Sequence, residues 1–130
     1  MINWRGHSDT ETIANAFSIW GVEKTLKLTR GMFALALWDR ESHQLFLARD
    51  RMGEKPLYYG WISGNFVFAS ELKSFHLFPA FERKINQEAL NQFLLYSAVP
   101  TPLSIYENIY KLEPGSYLKI NLKKVIDKKN

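Results

Sequence analysis

The run Met32-Phe33-Ala34-Leu35-Ala36-Leu37-Trp38 has the length of a β-strand and almost no polar group, and it limits most what this chain can fold into. A polar turn from Asp39 to Gln44 and a second apolar run, Leu45-Phe46-Leu47-Ala48, complete a hairpin. A strand that is apolar on both faces needs a layer on each side, so the sheet is either stacked on a second sheet or enclosed by helices. Met32 to Trp38 is therefore expected to be central and buried. After the loop Arg49 to Pro56, the segments Leu57 to Ile62 and Phe66 to Ala69 flank Ser63-Gly64-Asn65 and read as a second hairpin closed by a glycine-containing turn.

Helices flank these strands. Ser8 and Glu11 have the spacing of a capping box, apolar residues follow at 13, 16, 17 and 20, and Gly21 stands where a left-handed cap is wanted. This predicts a helix from about Asp9 to Trp20 that buries Ile13, Phe17 and Trp20, and then a short helical piece from Val22 to Leu28. Glu71 to Phe78 reads as a short helix stopped by Pro79. Asn86 caps another that runs to about Tyr96 and is stopped by Pro100 and Pro102. The chain then reads as loop until a last extended piece, Ser116 to Leu122. The fold class is α+β, antiparallel hairpins with flanking helices.

Composition excludes several kinds of chemistry. At 130 residues the chain suits a single core, and its sequence contains no cysteine, so neither a disulfide framework nor a thiolate nucleophile is available within it. His7, His43 and His76 lack metal-ligand spacing, and no metal site is expected. No apolar run approaches the roughly 18 residues that span a bilayer and no secretory h-region is present; no membrane association and a cytoplasmic location are the expectations. The net charge of +4 is scattered, and its one concentration is the terminal group Lys123, Lys124, Lys128 and Lys129. Nucleic-acid binding normally needs a basic stripe with interleaved aromatics, so no nucleic-acid partner is expected.

Two places could carry chemistry. Asp9 sits in the first turn of a helix beside free backbone N–H groups, where its carboxylate either offsets the helix dipole or meets a cationic ligand group. Arg49-Asp50-Arg51, near Gly53 and Lys55, either holds a phosphate or ties its loop to the sheet by charge-assisted hydrogen bonds, and the tie is the favoured reading. There is no G-x-x-x-x-G-K-[ST] phosphate loop and no G-x-S-x-G elbow, and no catalytic set assembles from spacing.

Four motifs occur in order: Gly6 to Glu11; Gly31 to Ala34 leading to Trp38-Asp39; Ala48 to Tyr59; and Ala69 to Lys73. With the later Pro100-Thr101-Pro102, Lys111-Leu112 and Pro114-Gly115, they resemble the class II, N-terminal-nucleophile glutaminase domain of glutamine-hydrolysing asparagine synthetases. In that family an N-terminal cysteine attacks the glutamine amide with its own α-amino group as base. Ammonia then passes to a second domain that uses ATP and magnesium to adenylate aspartate. The resemblance implies that Asp9 helps hold the α-amino group of glutamine, and gives the Arg49-to-Pro56 loop a structural or interdomain role. No Met-Cys-Gly start, R-H-R-G-P segment, Asn-Gly-Glu segment or Ser-Gly-Gly loop is present.

The resemblance therefore implies an incomplete αββα sandwich. Residues 1–83 would be the C-terminal part of the amidotransferase domain, and residues 84–130 its end and the segment toward a synthetase domain. A gene fragment or one part of a split enzyme is expected, inactive alone, with no catalytic residue and no cofactor of its own; ATP and magnesium belong to the synthetase domain. Expected partners are glutamine in an intact parent, a separate N-terminal segment or synthetase domain, and further copies of the chain through unpaired edges. The alternative is a binding or interaction module that keeps the fold without the catalysis.

Overall fold

A computed structural model describes residues 6–121, which divide into two compact units between Gly31 and Met32. The first unit is helical. Its helix α1 (Asp9–Leu28) is interrupted at Gly21, whose φ of 75° and ψ of 173° lie outside helical space, so the two helical pieces read from the sequence meet there. The Ser8 side chain caps α1 by accepting the Glu11 N–H at 3.2 Å. Ile13 and Phe17 are half-buried as the spacing implied, but Trp20 is 48% exposed, a correction to its expected burial. Trp20 is the last residue before the break, where the apolar stripe stops being continued by a next turn.

The break also accounts for an orphan hydroxyl. A helical threonine commonly donates to the carbonyl four residues back, and for Thr25 that residue is Gly21. Thr25 is buried and its Oγ1 has no partner among the described residues, because the Gly21 backbone has left the helical ladder.

The second unit contains two three-stranded antiparallel sheets. One has the order β1-β2-β6, from β1 (Ala34–Asp39), β2 (Gln44–Arg49) and β6 (Tyr117–Asn121). The other has the order β4-β3-β5, from β3 (Tyr58–Ile62), β4 (Asn65–Ala69) and β5 (Ile109–Lys111). Leu45 and Leu47 of β2 form one core with Leu57 and Leu112, against which Ala34, Tyr59, Phe66, Leu118 and Ile120 pack. Since these residues come from both sheets, the sheets are stacked face to face, one of the two arrangements that the apolar strand demanded. The far face of the second sheet carries Ile62 and Ile109, which join Phe75 in a second core under Tyr58, Val67, Leu72, Phe78, Phe81 and Tyr106. Phe75 is supplied by a 3-10 helix over Leu72–Leu77.

The centre of the first sheet is β2, a correction to the expectation that Met32 to Trp38 would be central and buried. Leu45 through Asp50 are all buried, whereas Met32 is 63% and Trp38 43% exposed. The cause is long-range pairing. β6 returns along the second edge of β2 (Leu47 opposite Leu118, Phe46 opposite Lys119), so β1 is left at the edge among the described strands. Residue 122, the expected end of the last strand, lies outside the described residues.

The sequence reading also missed β5, placed in what was taken as loop. Gly60 inside β3 was its signal, since a glycine within a strand often marks a close backbone approach. A Cβ on Gly60 would overlap the Asn108 carbonyl and lie 2.9 Å from the Ile109 side chain, so β5 pairs with β3 only if residue 60 has none. The helix after Asn86 forms as expected: α2 (Gln87–Tyr96) is capped by Asn86 Oδ1, which accepts the Ala89 N–H at 3.1 Å. Gly60→Ala is expected to destabilise the protein by about 2 to 3 kcal/mol, the scale of overpacking at a site that cannot relax. Urea denaturation measures it, and an unchanged midpoint would contradict the close approach.

Candidate functional site

The Arg49–Asp50 pair closes β2 and is almost fully buried, Arg49 at 8% and Asp50 at 1% exposure. Burial of charge is costly unless each group is hydrogen-bonded. Here neither charge relies on the other. Arg49 donates from Nε to the Lys55 carbonyl (2.8 Å), from Nη1 to that of Leu112 (2.7 Å) and from Nη2 to that of Gly53 (2.6 Å). Asp50 accepts in the complementary sense: Oδ1 from the Met52 and Glu54 N–H groups (3.1 and 3.0 Å), Oδ2 from those of Phe33 and Lys55 (3.2 and 3.0 Å).

The same loop is held by its backbone as well. The Gly53 and Gly115 N–H groups donate to the Asp50 carbonyl at 3.1 and 2.8 Å, and the Arg49 N–H donates to Ser116 at 3.1 Å. Gly53 has a φ of 69°, and a Cβ on it would meet Pro114 Cγ at 2.8 Å and Arg49 Cζ at 3.1 Å. The loop is thus closed on the guanidinium with no room for a side chain at that point.

Of the two readings of this charged cluster, the structural tie is the one formed. Three of the five guanidinium N–H groups are already aimed at carbonyl oxygens of the chain, and the Asp50 carboxylate is ringed by backbone donors. The N–H bond from Lys55 is the largest cause that lowers the Asp50 carboxyl from its ordinary 3.8 to about 2; the bonds from Glu54, Phe33 and Gly53 add to it, and burial opposes them.

Asp9 is the first residue of α1 and is exposed. Its neighbours do the capping. Ser8 Oγ takes the Glu11 N–H, and the Glu11 carboxylate accepts the Gly6 N–H at 2.8 Å. Asp9 makes no hydrogen bond or ion pair among the described residues, which leaves its carboxylate uncommitted. It stands in the first turn, at the positive end of the helix dipole.

Among the described residues no three His, Cys, Asp or Glu side chains are grouped so as to hold a metal ion, and no helix is long and apolar enough to cross a membrane. His76 is committed to packing: its Nε2 lies 2.8 Å from the Tyr106 hydroxyl and its ring stacks on Phe81 with centroids 5.8 Å apart.

The motif that contains Arg49 and Asp50 thus builds a scaffold, and a family model for the glutamine amidotransferase domain matches residues 1–130. The chain belongs to that family. Asparagine synthetase [glutamine-hydrolyzing] 1 of Bacillus subtilis is 40% identical over 113 residues, which are 87% of this chain and 18% of the relative. The putative asparagine synthetase [glutamine-hydrolyzing] 2 of Methanocaldococcus jannaschii is 35% identical over 119 residues, 90% of this chain and 23% of the relative. Amidase chry2 of Gibberella zeae is 34% identical over 113 residues, 87% of this chain and 16% of its own length. This amidotransferase domain chain therefore spans less than a quarter of the length of these relatives.

Within it, sequence reasoning named Arg49 and Asp50 as a tie but could not name their partners. The acceptor on Leu112 lies 63 residues away from Arg49 and belongs to a segment taken as loop. The acid stability of the domain should carry the signature of Asp50. Its folded-state value lies below its ordinary one, so the stabilisation is whole above about pH 5 and is lost as pH falls from there toward 2. Asp50→Asn is expected to lower the melting temperature at pH 7 and to flatten the decline between pH 4 and 2, read by circular dichroism melts across that range. A variant with an unchanged acid limb would contradict the assignment.

Proposed function

We propose that these residues are part of an N-terminal-nucleophile glutaminase domain whose parent hydrolyses glutamine and delivers ammonia for ATP- and magnesium-dependent amidation of aspartate or a similar carboxylate. The observation that carries this is the family match along residues 1–130, together with 35–40% identity to two asparagine synthetases over most of the chain. The two stacked antiparallel sheets are compatible with the αββα sandwich of such a domain. On this reading residues 1–83 are the C-terminal part of the glutaminase domain and residues 84–130 its end and the segment toward the synthetase domain, which holds the ATP and magnesium.

The reaction needs a nucleophile to attack the side-chain amide and an oxyanion hole to receive the developing charge. The sequence holds no cysteine, so the thiolate must come from outside these 130 residues, and the chain by itself is inactive. Its contribution is recognition and support. Asp9 takes the glutamine α-ammonium group, a role supported by its exposed, uncommitted carboxylate and by Ser8, which relieves it of capping. The Arg49–Asp50 tie supplies a stiff loop at the end of the central strand.

Glutamate release from glutamine by the purified chain should equal the no-protein background. Co-expression with a cysteine-bearing N-terminal segment of an asparagine synthetase should restore release. In that reconstituted protein Asp9→Asn should raise KM at least tenfold with little change in kcat, since it removes binding rather than the reacting groups. Hydrolysis by the chain alone would overturn the inactive reading, and an unchanged KM would overturn the role of Asp9. Glutamine binding with no restorable hydrolysis would support instead a binding module on the same fold.

Self-association is part of the same proposal. The described edge strand β1 carries Trp38 at 43% exposure, β4 carries Phe68 at 42%, and the last turn of α2 exposes Leu94, Leu95 and Tyr96 at 71–73%. Unpaired edges and apolar patches of this kind recruit other chains. Light scattering on the chain alone should show mass rising with concentration, reversed by the co-expressed segment; a monodisperse monomer at all concentrations would contradict it.

A further inference from the structure

Helix α2 carries its apolar side chains on one stripe: Ala89, Phe93 and Tyr96 at i, i+4 and i+7, with Leu90 and Leu94 beside them. Glu88, Asn91 and Leu95 make up the opposite side. The chain covers only the start of the stripe. Ala89 is fully buried and Leu90 half-buried, whereas Phe93 is 48%, Leu94 71% and Tyr96 72% exposed. The uncovered turn is nonetheless well formed, since Ser97 closes it in the left-handed conformation with its N–H on the Phe93 carbonyl at 2.8 Å. Three large apolar side chains are thus held out on an ordered helix end.

What covers such a stripe must be apolar and need no counter-charge, because Glu88 is the one charged residue of α2 and lies in its first turn on the other side. A second copy of the same turn meets both conditions. Laid antiparallel about a two-fold axis, two last turns bring Phe93, Leu94 and Tyr96 of each copy onto those of the other, put the Glu88 carboxylates at the outer ends and oppose the helix dipoles. At roughly 100 to 150 Å² for each exposed side chain the pair buries about 800 Å², the size of a weak and reversible contact rather than of an obligate dimer.

We infer that this overhanging stripe of α2 is where two copies of the chain associate. The inference rests on the self-association proposed above and selects α2, over the strand edges β1 and β4, as its contact; it is independent of the glutaminase reading. Leu95 supplies an internal control, as exposed as Leu94 (73% against 71%) but on the polar side of the helix.

Sedimentation velocity on the purified chain, from micromolar to millimolar concentration, tests the contact. The parent chain should show a reversible monomer–dimer equilibrium that added salt does not weaken. Leu94→Lys sets two ammonium groups across the axis and should raise the dimer dissociation constant at least tenfold, while Leu95→Lys should leave it unchanged. A lysine in the last turn of a helix suits the dipole, so both variants should melt as the parent does. A Leu94→Lys chain that associates like the parent, or an equal loss in both variants, would overturn the inference while leaving self-association standing. A parent chain that stays monomeric throughout would overturn both.

Discussion

The guanidinium of Arg49 and the carboxylate of Asp50 organise the second unit, because between them they satisfy a whole loop's backbone. Arg49 is the last residue of β2 and Asp50 the first beyond it. One collects carbonyl oxygens from Gly53, Lys55 and Leu112; the other collects N–H groups from Phe33, Met52, Glu54 and Lys55. A buried loop without such partners would leave several backbone dipoles unpaired, each at a cost of about 1 to 3 kcal/mol. Since Phe33 precedes β1 and Leu112 follows β5, this one charged pair also joins the two sheets to the loop between them.

That arrangement commits the buried charges of the cluster to support. The cluster richest in charge, Arg49-Asp50-Arg51, looks from composition like a place for a ligand, yet the two buried charges in it are turned toward the chain itself. Asp9, one carboxylate at an exposed helix start, has its usual local duty performed by Ser8. Asp9 takes no part in the capping that Ser8 and Glu11 perform, which distinguishes it from Asp50, whose carboxylate is taken up by four backbone N–H groups.

Much of the local structure was legible in the sequence. Ser8 and Asn86 cap the helices read for them, Gly21 breaks α1 where the apolar spacing ends, and Ser63-Gly64 turns β3 into β4 through two residues of positive φ. The four ordered motifs were enough to place the family. These signals act over one or two turns, so the residues that carry them stand next to each other in the chain.

What only the tertiary structure decided depends on residues far apart. An apolar run states that a strand will be buried, but which strand becomes central is settled by who pairs with its second edge, and β6 chose β2. The exposed Trp38 and the buried Phe46 follow from that choice alone. In the same way Gly60 announced a close approach without naming β5, and Arg49 announced a tie without naming Leu112. Caps, turns and helix breaks are fixed by local hydrogen-bonding geometry, and the sequence by itself determined them. Edge and centre, and the partners of buried charges, come from competition among distant segments to bury apolar faces and satisfy backbone groups, which only the folded chain resolves.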